Sequence, residues 1–218
     1  MGENVYFFIP NIIGYVRIIT GILAFYMAHD WKAFFGFYFI SYFLDCLDGL
    51  AARKFKQATR FGQMLDMVTD RCCTACLLAL LAHLYPGFYG FCFYMLLALD
   101  LASHYCMVYS QLLSGTGNHK EVNAKATWLL RIYYSNQAVL FSLCLFNESF
   151  FVFSYLLYHA KGGTPGAEWT EQYALPLFFL CAPFMFLKQL CNVLQLLMAC
   201  GNIVAYDVKT RAEAAKGA

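Results

Sequence analysis

Six apolar segments, each near or above the ~20 residues that cross a bilayer as a helix, leave this chain one class of fold. They run over residues 11–28, 33–52, 63–84, 88–112, 133–158 and 174–204. In lipid every backbone N–H and C=O must be satisfied within the protein, and a single segment of this length does so only as a helix. The expected fold is all-α: a polytopic membrane protein with six transmembrane helices. Composition agrees, because 61% of the 218 residues are hydrophobic and only 13% are charged, against about 25% in soluble domains. Residues 3–9 are short, aromatic and followed by Pro10. They predict an N-terminal interfacial helix along the membrane surface, with Pro10 and Asn11 starting the first span. The last segment is too long for one straight span, so part of it is expected to project beyond the bilayer. No internal repeat or long linker is visible, and residues 1–218 read as a single membrane domain.

The basic residues orient the bundle. One side carries Arg53, Lys54, Lys56, Arg60, Lys120, Lys125, Arg131, Lys209, Arg211 and Lys216, and the other only Lys32 and Lys161. The positive-inside rule then puts the ten-residue side and both termini in the cytosol. A net charge of +2 without a basic arm excludes nucleic acid as a partner. The ten cysteines sit mostly in apolar segments, without finger-like spacing, and read as core packing. Residues 1–11 lack a basic n-region and a small-residue cleavage site, so the first span is expected to act as the targeting signal. Asn147-Glu148-Ser149 matches a glycosylation acceptor but falls inside the fifth segment, so no glycan is expected there. The polar stretch at 114–124 has two glycines and no strand before them, and reads as an ordinary cytosolic loop.

Against this apolar background four carboxylates, Asp45, Asp48, Asp66 and Asp70, fall in one short stretch. An ionisable group inside a membrane segment is expensive and points to function. Asp45 and Asp48 are three apart, and Asp66 and Asp70 are four apart, so each pair shares one helix face. Antiparallel packing through a turn at 53–61 would bring the two faces together. Four converging carboxylates suit hard divalent ions, and two ions roughly 3.5–4 Å apart clamp both oxygens of a phosphoryl transfer. Gly49, Ala51 and Ala52 leave room for a ligand at the helix backbone, Gly62 shares the face of Asp66, and Arg53 can fork onto a phosphate. The bland alternative is a set of helix-end carboxylates paired with Arg53, Arg60 and Arg71. It suits one or two of them but not four.

The pattern Asp-Gly-x2-Ala-Arg-x8-Gly-x3-Asp-x3-Asp is met without a gap by Asp48, Gly49, Ala52, Arg53, Gly62, Asp66 and Asp70, with Asp45 three residues before. In this the chain resembles the CDP-alcohol phosphatidyltransferases. The resemblance implies that Asp45, Asp48, Asp66 and Asp70 bind two divalent ions, Mg²⁺ or Mn²⁺, with Asp70 also the general base. It implies Gly49, Arg53 and Thr59 as contacts for CDP-diacylglycerol, a homodimer, and a place in the endoplasmic reticulum membrane. Similarity outside the signature, in PNIIGYVRI at 10–18, TRFGQMLDMVTDRC at 59–72, LDLASH at 99–104 and LRIYY at 130–134, implies myo-inositol as the acceptor, with phosphatidylinositol and CMP as products.

Some assignments stay open on sequence alone. Asn11 reads equally as a pocket residue and as a helix cap. Arg131, Lys188, Gln189, Asp100 and His104 are polar residues in or near apolar spans and are candidates for the inositol pocket; Asp100 and His104, four apart, can instead satisfy each other. Arg131→Ala is expected to raise the KM for inositol more than that for CDP-diacylglycerol. The same signature serves serine, choline, ethanolamine and glycerophosphate acceptors. Intramembrane acids also line cation pathways, although a transporter would show inverted repeats. An inactive scaffold would have no reason to keep four buried acids.

Overall fold

A computed structural model describes residues 4–114 and 127–217 as helices joined by short turns. Most of the 114–124 loop, with Lys120 and Lys125, lies outside the described residues. The N-terminal stretch is shorter than the expected interfacial helix. It is one 3₁₀ turn, Val5–Phe7, held by the Asn4 side chain, which accepts from the Tyr6 N–H. Helix α1 follows at Ile9–Tyr26, with Pro10 in its first turn, where the missing N–H costs nothing. Helix α2 spans Trp31–Lys54, and Asp30 Oδ1 caps it by accepting from Lys32 N and Ala33 N at 3.0 and 3.3 Å. Helix α3 spans Arg60–Leu84 and α4 spans Phe88–Ser114.

The fifth apolar segment is divided. A short helix α5, Trp128–Ser135, ends at Asn136, whose Oδ1 accepts from Ala138 N and Val139 N and starts α6, Gln137–Lys161. The last helix, α7, is continuous over 50 residues, Glu168–Gly217, through Pro176 and Pro183. At 1.5 Å per residue it is ~75 Å long, far beyond a hydrocarbon core of about 30 Å. Residues 204–216 are exposed along their whole length, as expected for a segment leaving the bilayer. Six helices, α1 to α4, α6 and α7, are long and apolar enough to cross a membrane. All ten cysteines are free.

The main core joins α1, α2, α3, α6 and α7 through Ala24, Phe34, Leu77, Leu81, Tyr155 and Met185 among others. A smaller cluster of Leu130, Tyr133, Leu143 and Cys191 ties α5 to α6 and α7. Large apolar side chains such as Ile22, Phe39 and Leu197 stay more than half exposed, the outward face of a bundle whose solvent is lipid. Helix α1 packs on both α2 and α3, whereas α2 and α3 scarcely touch each other. The expected direct face-to-face packing of α2 on α3 therefore gives way to a three-helix arrangement with α1 as the wedge. Close approach of α1 to α3 depends on Gly14, where a Cβ would come within 2.9 Å of Leu65 Cδ2.

Candidate active site

The four aspartates converge as their spacing predicts, but deeper than segment ends. Helix α2 runs six residues past Asp48, and α3 begins six residues before Asp66, so both lie about 9 Å inside their helices. Asp48 is buried, while the side chains of Asp45, Asp66 and Asp70 are 31%, 46% and 35% exposed. The tetrad is thus open to a ligand from one side. Ligand oxygens of Asp45, Asp48 and Asp66 all fall within 4.8 Å of one another.

The group at the centre is Arg17 of α1. Its Nη1 donates to Asp48 Oδ2 and Asp66 Oδ1, both at 2.6 Å, and its Nη2 reaches Asp45 Oδ1 at 2.6 Å and Asp70 Oδ1 at 2.5 Å. Ser41 donates to the Arg17 carbonyl at 3.0 Å and fixes α1 against α2. Sequence reasoning took the residue only as part of a matching segment. Its signal was a lone arginine in the middle of an apolar run, which is as costly there as an aspartate. The pairing with Arg53, Arg60 and Arg71 weighed from sequence does not occur: the tetrad's partner is Arg17, and Arg71 instead donates to Asp100 at 2.8 and 3.2 Å.

Arg17 also measures how well these residues fit a metal. Two carboxylates meet each guanidinium nitrogen, so the donors already gather around cationic positions. One guanidinium leaves three of four ionised carboxylates uncompensated, and oxygen-only donors suit a hard divalent ion. The cluster is one that can hold a divalent metal.

Two cavities flank the tetrad. The first, about 310 Å³, lies between the starts of α1 and α3 and the end of α2, and is lined by Asp48, Gly49, Arg53, Thr59, Gly62 and Asp66 among others. It unites the residues singled out for CDP-diacylglycerol. Nothing but the Arg53 guanidinium, 3.6 Å away, lies near a Cβ built on Gly49. Thr59 caps α3, its Oγ1 accepting from Gly62 N at 3.0 Å. Asn11 lines this cavity and is not a cap: Phe8 holds that position, and Asn11 Nδ2 donates to the Val5 carbonyl at 2.6 Å. A Cβ on Gly62 would sit 2.9 Å from Asn11 Oδ1 and 3.2 Å from Thr59 Oγ1, so this wall leaves no spare room.

The second cavity, about 90 Å³, is lined by Asp45 and Asp70 together with Tyr42, Thr74, Asn147 and Glu148. Lys188 also lines it, while Arg131 is exposed on α5 and lies outside its lining. Asp100 serves Arg71 and His104: His104 Nδ1 lies 2.8 Å from the Asp100 carbonyl and 3.6 Å from its carboxylate. Glu148, noted in the sequence only as part of a glycosylation pattern, is the deepest acid of this chamber.

The model of the CDP-alcohol phosphatidyltransferase family matches residues 7–161, which holds the whole tetrad and both cavity walls except those from α7. Three full-length relatives are each called CDP-diacylglycerol–inositol 3-phosphatidyltransferase. The Schizosaccharomyces pombe protein is 43% identical, over 98% of this chain and 95% of its own. The human protein is 42% identical, over 97% and 98%. The Saccharomyces cerevisiae protein is 40% identical, over 97% and 92%. No solved structure matches. Since the family model spans the helices that build the site, and the likeness of these relatives runs end to end, the chain belongs to the CDP-alcohol phosphatidyltransferase family.

Proposed function

We propose that the protein transfers the phosphatidyl group of CDP-diacylglycerol to myo-inositol, giving phosphatidylinositol and CMP. The observation that carries this is a tetrad standing between two cavities, one holding the glycine–arginine part of the signature and the other lined by Asp70. The acceptor follows from relatives named as inositol transferases along their full length. Asp45, Asp48, Asp66 and Asp70 would hold two divalent ions, Mg²⁺ or Mn²⁺. When bound, such ions neutralise the pyrophosphate and stabilise charge in the transition state.

The chain's own residues do the rest. Gly49 lets the nucleotide reach the α2 backbone, and Arg53 beside it grips a phosphate with its forked donors. Thr59 shapes the floor of the cavity, its hydroxyl lone pair committed to the α3 cap. Asp70, on the wall of the second cavity, accepts the proton of the attacking hydroxyl on a carboxylate oxygen. The hydroxyl oxygen bonds to the diacylglycerol-linked phosphorus, the bond from that phosphorus to the CMP oxygen breaks, and CMP leaves. The excess of basic residues on the tetrad's side supports a cytosolic active site and cytosolic termini. Residence in the endoplasmic reticulum and a homodimer complete this reading.

The test is CMP release by purified protein from CDP-diacylglycerol with Mg²⁺ or Mn²⁺, offering inositol, serine, choline and glycerol 3-phosphate in parallel. Turnover is expected with inositol alone, and Asp70→Asn is expected to lose about 10²–10⁴-fold, the usual contribution of a positioned base. Turnover with a different acceptor would reject inositol and leave the tetrad's role standing.

A further inference from the structure

Glu148 sits in the middle of α6, is 8% exposed, and makes no ion pair among the described residues. A buried carboxylate without a cation is costly inside a membrane. Two hydroxyls hold it: Tyr38 donates to Oε1, and Thr74 donates to Oε2 at 3.2 Å. A carboxylate has about four lone-pair sites, so half its accepting capacity is unused, and Glu148 lines the same chamber as Asp70.

The cations of the same chamber each have a partner other than Glu148. Arg17 is shared by the tetrad. Arg71 is held by Asp100. Lys188 donates to Asn192 at 2.5 Å and lies 5.5 Å from the centre of the Tyr133 ring. The chamber thus offers hydrogen-bond acceptance by Glu148 together with the remaining N–H donors of Lys188 and the polar side chains of Tyr42 and Asn147. That suits a neutral molecule with several O–H donors. A phosphate or carboxylate brought to the Glu148 side would meet a buried carboxyl that no cation is paired with.

We propose that Glu148, positioned by Tyr38 and Thr74, determines acceptor specificity by taking hydrogen bonds from the hydroxyls of a neutral polyol, with Tyr42 as a second contact. The inference rests on the phosphatidyl-transfer reading above and assigns the acceptor's recognition to α6 and α2, away from the signature.

The experiment measures CMP release by the purified full chain with Mn²⁺, varying inositol and CDP-diacylglycerol separately. Glu148→Gln keeps the shape and removes the charge. It is expected to raise the KM for inositol about tenfold, the scale of a lost hydrogen bond to a charged group, and to leave the KM for CDP-diacylglycerol unmoved. The ratio of kcat/KM for inositol over glycerol 3-phosphate should fall, and Glu148→Asp should recover part of it. Tyr42→Phe removes one hydroxyl and is expected to give a smaller rise in the same KM; it decides the matter if Glu148→Gln does not fold. An unmoved inositol KM in the variants that fold, or equal rises for both substrates, overturns the inference. Inositol turnover by the unaltered protein is the control: without it the underlying reading fails, and with it only the role of Glu148 is at stake.

Discussion

At the scale of single residues, Arg17 and the tetrad form one electrostatic unit. A guanidinium among four carboxylates keeps them together, and taking one partner from a buried pair costs about 3–5 kcal/mol. Arg17→Met is therefore expected to lower the Tm of metal-free protein sharply. Added Mn²⁺ should close most of the gap to the unaltered protein, because the carboxylates then have another cation; a gap that is the same with and without Mn²⁺ would argue against metal binding at the tetrad. Tm in detergent, with and without chelator, reads this directly. The aspartates were legible in sequence because spacings of three and four are local geometry on a helix. Arg17 was not, because its partners lie 28 to 53 residues away and only packing brings them together. Glu148 was hidden for the same reason, since Tyr38 and Thr74 come from two other helices.

At the scale of elements, the first cavity is made by helix ends. The Thr59 cap, the Asn11 side chain and Gly62 fit closely, whereas a Cβ on Gly49 would make only ordinary contact with the Arg53 guanidinium, 3.6 Å away. Gly49→Ala is thus accommodated by the protein itself, and in a helix interior it adds stability of up to about 1 kcal/mol. The expected outcome is an equal or higher Tm with a raised KM for CDP-diacylglycerol and an unchanged KM for inositol. A normal CDP-diacylglycerol KM would remove Gly49 from the nucleotide site. Most helix ends were readable, since Asp30 and Thr59 announce α2 and α3 by ordinary capping chemistry. The division at Asn136 was not, because the asparagine lies within a run apolar enough to pass as part of one span. Residues 3–9 likewise carried aromatic, interfacial composition, of which the described part forms the Val5–Phe7 3₁₀ turn.

At the scale of the molecule, six helices among the described residues are long and apolar enough to cross a membrane, and α7 ends in an exposed stretch over residues 204–216. Its exposed part touches neither cavity. Ending the chain after Ile203 is expected to leave kcat and both KM values unchanged. A tag placed after residue 218 should be digested by protease added outside sealed microsomes; protection of that tag would reverse the orientation given by the basic residues. The six-crossing topology was legible because membrane length is a hard limit on each segment. The wedge position of α1 was not, because hydropathy says nothing about which helix stands between which others. That position bears on what α1 could do by itself. Arg17 is the ninth of the eighteen residues of α1, at the depth where arginine is least welcome, about 2.5–3.5 kcal/mol against partition into lipid. The helix that would dwell least easily in lipid alone is thus the one held by carboxylates from both of its neighbours.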